Sequence, residues 1–474
     1  MRRARYRAQW VLPVSAPPVR DGALLIDEDG RIAAVGPDAA VPRPEDVDEV
    51  DLGSAALLPG FVNVHAHPEL AALRNLLEDL PFVQWISTLR RVKLRAPLDE
   101  ADLYTAALWQ LAEAYAAGIT TIAATEDSAA SFDALLESGG RGVVYREVFG
   151  PAPEQCADAM RELSARVESM RVRESDLVRV GISPHAPYTV SDELFGATAR
   201  YAAAEGLPVA VHIAESQEET DLVERGGGGF AEGLQRRGIA TPVRARSPID
   251  LLARTGVLER RPLLIHAVRI DTEDIRAIVD AGASVAHCPT ANARLGHGIA
   301  PVAHLLAAGA TVALGTDSVA SNNRLDLLEE ARTAQLMQRA AGHSHDALDP
   351  ATLLRMATLD GARALGIEAE CGSLERGKSA DFAAVSLAGV HTRPVHDIQA
   401  ALVLAARSSD VVLTVVRGRV LYHSCPAGLS QPGANNGTTG VLGNRAAHTT
   451  IDVPALRSRM DAIAERVAAA RAAS

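Results

Sequence analysis

The sequence is short of several features that would narrow a function quickly. It has four cysteines in 474 residues (Cys156, Cys288, Cys371 and Cys425), scattered, with no CxxC pair. A chain long enough to bury a large core needs no covalent staples, so these read as reduced thiols in a cytoplasmic setting. Basic excess is also missing: 47 Lys and Arg face 59 Asp and Glu, a net charge of −12. Nucleic acids and anionic membranes call for a basic face, so the balance argues against both as partners and leaves a small-molecule substrate. No apolar run approaches the roughly 20 residues of a membrane-spanning helix. The opening MRRARYRAQWVLPV starts like a secretion signal, but its apolar part is short and broken at Pro13; it reads better as a first strand. Aromatics make up only 4%, so the core is aliphatic.

What is present is alternation. Eight short runs rich in Val, Ile and Ala (57–64, 119–123, 142–148, 178–182, 209–213, 263–265, 283–286 and 311–314) are separated by amphipathic segments such as 101–117, 154–170, 192–205, 272–280 and 326–341. Several of these segments end at a glycine just before the next run (Gly118, Gly206, Gly282, Gly309), a common helix C-terminal signal. Eight βα units predict an α/β fold, a TIM-like (β/α)8 barrel over residues 57–372 with its chemistry at the C-terminal strand ends. A doubly wound open sheet is the alternative, but no glycine-rich phosphate fingerprint follows the first run. The flanks differ. Residues 22–35 read as a hairpin turning at Asp29-Gly30, and 381–386 and 411–417 as further strands, so that 1–56 and 373–423 pair into one small β-domain. Residues 424–450, rich in Pro, Gly, Asn and Thr, are expected to be loop, and 453–470 a closing helix.

The chemistry-bearing residues sit where the runs end. In Pro59-Gly60-Phe61-Val62-Asn63-Val64-His65-Ala66-His67, two histidines two apart on a strand project to one side. Run five ends at His212, with Glu215 three residues on; run six ends at His266, run seven at His287-Cys288-Pro289 and run eight at Gly315-Thr316-Asp317. Fourteen histidines scattered at random would rarely do this, and a shared metal centre is the better reading. His67-Pro68-Glu69 also matches the H-x-E of zinc cytidine deaminases, but the P-C-x-x-C which that fold needs fails at Ala291.

With SPHAPYT (183–189), HIAES (212–216), AHCPTANARLGHGIAPV (286–302), LGTDSVASNN (314–323) and GSLERGKSADF (372–382), the chain resembles the amidohydrolase superfamily. The similar branch holds cytosine, guanine, S-adenosylhomocysteine and aminofutalosine deaminases and the triazine hydrolases. The resemblance runs to about residue 423 and implies a barrel carrying a small β-sandwich from both termini. It also implies one divalent ion, Zn or Fe, held by His65, His67, His212 and Asp317, with His266 on the metal or on the reacting water and substrate. Strand four ends Pro184-His185 with no lysine, so neither a carbamylated lysine nor a second ion is implied. In such a site the metal activates water, Asp317 accepts its proton, and Glu215 shuttles protons to the ring and the leaving amine. The bland reading of Glu215 is an acid at a helix N-terminus.

For the substrate, His185, Trp85, Arg146, His287 and Ser321 resemble contact positions; the plain alternatives are core packing for Trp85 and a salt bridge for Arg146. S-adenosylhomocysteine deaminases place a glutamate about nine residues after the tryptophan, where this chain has Arg91-Val92-Lys93-Leu94-Arg95. His67–Leu70, Arg146–Gly150 and Glu215–Glu219 are instead similar to aminofutalosine deaminases. The expected substrate is therefore 6-amino-6-deoxyfutalosine of menaquinone biosynthesis, with Arg91, Lys93 or Arg146 meeting its carboxylate. Other purine or pyrimidine deamination, triazine hydrolysis and a non-catalytic binding barrel are the rivals. Relatives often self-associate, so a homodimer is expected.

Overall fold

The computed structural model describes residues 3–96, 98–424 and 448–473. Among the described residues seventeen strands run in chain order: β1 (Ala4–Val11), β2 (Val19–Ile26), β3 (Ile32–Pro37), β4 (Asp48–Asp51), β5 (Ala55–Pro59), β6 (Phe61–Ala66), β7 (Ile119–Glu126), β8 (Arg141–Val148), β9 (Val178–Pro184), β10 (Ala210–Ile213), β11 (Leu263–His266), β12 (Ser284–His287), β13 (Thr311–Leu314), β14 (Phe382–Ser386), β15 (Val411–Val416), β16 (Arg419–His423) and β17 (His448–Thr449). β6 to β9 and β10 to β13 form two four-stranded parallel sheets, each in sequence order. Hydrogen bonding joins the two sheets on both sides. An Ile182–Val209 bridge links β9 to the start of β10. Across the other seam, the Thr316 and Asp317 amides donate to the His65 carbonyl at 3.1 and 3.0 Å. Almost every position of these strands is buried, as expected for parallel strands covered by helices.

The first apolar run is not one strand. It breaks at Gly60: β5 pairs with β1 and β14, whereas β6 begins the parallel sheet. A Cβ at residue 60 would lie 2.1 Å from Thr120 Cγ2 and 2.2 Å from its Oγ1, so only glycine lets the chain cross here. The flanks build one nine-stranded sheet in the order β17-β16-β15-β14-β5-β1-β2-β3, with β4 on β1, where two facing sheets were expected. β5 is the reason: it hydrogen-bonds to strands from both chain ends and stitches them into one sheet. The predicted hairpin is present, with Leu24 opposite Val35. A buried ion pair, Arg141 Nε to Asp381 Oδ2 at 2.5 Å, ties the start of β8 to the residue before β14.

After β13 the chain forms two short helices, Pro350–Met356 and Leu359–Ala364, separated where the Ala357 carbonyl turns away to accept from the Val62 amide at 2.8 Å. Of the loop expected at 424–450, residues 425–447, including Cys425, lie outside the described residues, and His448–Thr449 pair with β16. The closing helix runs Val453–Ala472 and buries Met460, Ile463, Val467 and Ala470. Among the described residues no helix is long and apolar enough to cross a membrane.

Candidate metal centre and active cleft

The strand exits converge. His65, His67 and Asp317 each offer a ligand atom within 4.8 Å of the others, and His65, His212 and His266 do the same, so that His65 joins two overlapping groups. His65 Nε2 is 3.2 Å and His67 Nε2 3.5 Å from Asp317 Oδ1. Burial, together with the neighbouring imidazoles, lowers the His67 pKa to about 3 and pushes His212 well below its usual range, leaving neutral rings with lone pairs to give. Burial alone would raise the Asp317 pKa, but the hydrogen bond from His65 and the electrostatic pull of the His65, His266 and His67 rings hold it far below the ordinary carboxylate range. Neutral imidazoles facing one carboxylate are a donor set suited to a single divalent cation.

Surrounding groups aim these ligands. His212 Nδ1 lies 3.2 Å from the His185 carbonyl and His266 Nδ1 lies 2.9 Å from Asn292 Oδ1. Both partners are acceptors, so each ring donates from Nδ1 and keeps Nε2 free. Ser321 Oγ donates to Asp317 Oδ2 at 2.6 Å. Asn63 bonds Thr316 twice, at 2.8 and 3.0 Å, pinning the β13 exit to β6. At Gly315 a Cβ would come within 2.9 Å of His65 Cβ, so the close approach of these two strand ends needs glycine. Ala214, His266 and Asp317 sit at φ +51, +76 and +58°. Such left-handed backbone costs about 1–3 kcal/mol per residue and persists where the surroundings impose it, as at sites whose side chains must point a particular way.

Glu215 lies beside the centre, not on a helix end. The following helix, Gln217–Arg225, is capped by Ser216, whose side chain accepts from the Glu219 amide. It is Glu219 whose carboxylate accepts from the Ala214 and Glu215 amides, at 2.7 and 3.0 Å. Glu215 is thereby released from capping, and its Oε1 faces His297 Nε2 at 3.1 Å and His266 Nε2 at 3.5 Å. Burial pushes its pKa up, but the two imidazoles outweigh burial and hold it below the usual value, so it is ionised at neutral pH. His297 was not foreseen. It follows the helix Pro289–Arg294 and lies on no strand end, so the pattern that finds the others misses it. Asn63 was legible: it shares a strand face with His65.

A cleft of about 550 Å³ opens from His67 and His185. One wall is the helix Phe82–Arg95, which turns Ile86, Leu89, Arg90, Lys93 and Leu94 to the cleft at i, i+3, i+4, i+7, i+8 spacing. Its adjoining face, with Phe82, Trp85 and Val92, is buried in an apolar cluster on which Ile86 and Leu89 also pack, so Trp85 stands behind the wall and stacks on Phe82 at 6.4 Å. Phe82 in turn meets the His297 ring edge-on at 4.5 Å. Lys93 bonds both Asp127 oxygens at 3.0 Å and lies 3.6 Å from Glu69. Arg146 is buried and donates to the Ser128 carbonyl; Arg91 is held by Thr88. None of the three expected carboxylate partners is therefore uncommitted. His185 is bonded through Nδ1 to Thr189 Oγ1 at 2.8 Å and keeps Nε2 toward Glu147 at 3.9 Å. His287 is fully buried on β12, off the cleft, with neither ring nitrogen hydrogen-bonded. Ser321, expected to touch substrate, has its hydroxyl on Asp317.

A model of the amidohydrolase family matches residues 56–421, and the chain belongs to that family. A 5-methylthioadenosine/S-adenosylhomocysteine deaminase of Moorella thermoacetica is 35% identical over 87% of this chain and 92% of its own length. Among solved structures, an adenosine deaminase from Xanthomonas campestris with bound zinc superposes with a TM-score of 0.82 at 28% identity over 98% of both chains. An atrazine chlorohydrolase from Arthrobacter aurescens, complexed with zinc, gives 0.80 at 26% over 97% of this chain and all of its own. The protein is a metal-dependent hydrolytic deaminase of the kind that acts on carbon–nitrogen bonds in cyclic amidines.

Proposed function

We propose that the protein deaminates an adenine nucleoside hydrolytically, with one zinc ion held by His65, His67, His212 and Asp317 at the mouth of a (β/α)8 barrel. The observation that carries this reading is the placement of Glu215: a buried carboxylate, excused from capping, next to the histidine and aspartate donors. The divalent ion supplies Lewis acidity that makes a water nucleophilic near neutral pH. Asp317, ionised and steadied by Ser321, would accept one proton of that water. Glu215 would accept the other and hand it to the ring nitrogen beside the attacked carbon, then relay the proton held by Asp317 to the departing amine. His266 holds its Nε2 toward the reacting atoms because Asn292 occupies its Nδ1. Burial of all these groups keeps bulk water out of the exchange.

The far end of the substrate is apolar and carboxylated in this reading, as in 6-amino-6-deoxyfutalosine. In support, the outer cleft is lined by Ile86, Leu89, Leu94 and Phe149, of which Leu94 is 74% and Phe149 41% exposed. Large apolar side chains left open in a cleft ask for an apolar group to cover them. Arg90 and Arg237 also line it and, among the described residues, form no ion pair, whereas Lys93 is paired with Glu69 and Asp127 and Arg146 is buried against the Ser128 carbonyl. They replace those two as the carboxylate partners. A second reading, methylthioadenosine or S-adenosylhomocysteine, is favoured by the names of the relatives. Ammonia release from metal-loaded enzyme, with and without chelator, over adenosine, methylthioadenosine, S-adenosylhomocysteine and aminofutalosine ranks them. Release from none of these, alongside chloride release from a chlorotriazine, would replace deamination with triazine hydrolysis.

A further inference from the structure

We infer that the C-terminal helix Val453–Ala472 is a positioning element of the active cleft, setting where the wall helix Phe82–Arg95 stands. The excursion between β6 and β7 supplies one side of the cleft, from Glu69 through Ile86, Arg90 and Lys93 to Leu94. The wall helix Phe82–Arg95 is not in a hydrogen-bonded sheet and has no side-chain cap at its start, so its place is set by what packs behind it. Behind it lies the C-terminal helix. Met460, Ile463, Val467 and Ala470 recur at one-face spacing and share an apolar cluster with Phe82, Trp85 and Val92. The helix touches all three pieces of the excursion: the turn Pro68–Leu73, the wall helix and the helix Glu100–Ala116. Polar clamps hold its C-terminal half, Arg466 to Asp102 at 2.6 Å and Arg95 to the Ala473 carbonyl. The helix lines no part of the cleft itself, so its effect on substrate passes through the wall.

The test is an Ile463→Ser/Val467→Ser variant of the full chain, paired with the volume-conserving Ile463→Val/Val467→Ile variant. In the serine variant, amide exchange over residues 82–95 should quicken by about tenfold or more while β6 and β10 to β13 keep their protection. KM for the nucleoside turned over should rise by about tenfold with kcat within about threefold and metal content unchanged, and the volume-conserving variant should restore both. Unchanged exchange over 82–95 and unchanged KM, with the C-terminal helix itself exchanging freely, would overturn the inference. So would exchange rising equally in the parallel sheets, which is what a merely stabilising helix produces. The KM readout rests on the nucleoside reading; the exchange readout does not, so failure of one is distinguishable from failure of the other.

Discussion

Replacing Glu215 with glutamine tests the proton-transfer chemistry most directly. The amide fills the same volume between His297 and His266 but cannot carry a proton between water and ring. Positioned general acid–base groups contribute about 10²–10⁴-fold, or roughly 2.7–5.4 kcal/mol of barrier at about 1.36 kcal/mol per decade. Glu215 is 4% exposed, Glu219 is fastened to the Ala214 and Glu215 amides, and Asp317 is committed to His65 and Ser321, so neither neighbouring carboxylate replaces it at the ring nitrogen. We therefore expect the upper half of that range, a fall in kcat of at least about 10³-fold. Glu215 is in none of the metal-ligand groupings, so metal content should stay at that of the parent. Because the two imidazoles outweigh burial for the Glu215 carboxylate, its loss should leave the unfolding midpoint unchanged or slightly lower. The assay is steady-state ammonia release with metal analysis of the same samples. A metal-loaded Glu215→Gln enzyme turning over within about threefold of the parent would refute the shuttle role.

Removing a ligand should act on binding of the ion itself: His212→Ala is expected to lower metal content to below about a tenth of the parent, as chelation does, with zinc restoring activity only to the chelated parent. Arg141→Ala should cost about 3–5 kcal/mol, because it strands the Asp381 carboxylate in the interior, whereas Arg141→Met/Asp381→Leu should recover most of the loss in denaturant unfolding. Burial, with the charge of His266, lowers the His287 pKa from 6.5 to about 3. A depressed folded pKa gives stability that is present above 6.5 and lost as pH falls toward 3, at about 1.4 kcal/mol per unit. His287→Leu should flatten that acid limb by one proton's slope in a series of unfolding midpoints against pH; an unchanged limb would show that His287 is protonated in the fold.

Strand alternation and its punctuation settled the eight parallel strands and most helices from sequence alone, because period and helix-stop signals are local. The period-two spacing of His65 and His67 and the placement of His212, His266 and Asp317 at run ends were equally local, and the structure brings them to one point. Tertiary structure decided what depends on distant partners. It broke the first run at Gly60, where the Thr120 side chain leaves no room for a Cβ, and joined both chain ends in one sheet through β5. Recruitment of His297 to Glu215 and commitment of Lys93 to Asp127 and Glu69 follow from loops whose paths no pattern predicts. Trp85 faces the core because of what lies behind its helix, including a C-terminal helix more than 350 residues later. Local chemistry names the ligands and the acid; burial and charge pairing across the fold determine which of the other polar groups are left free to meet a substrate.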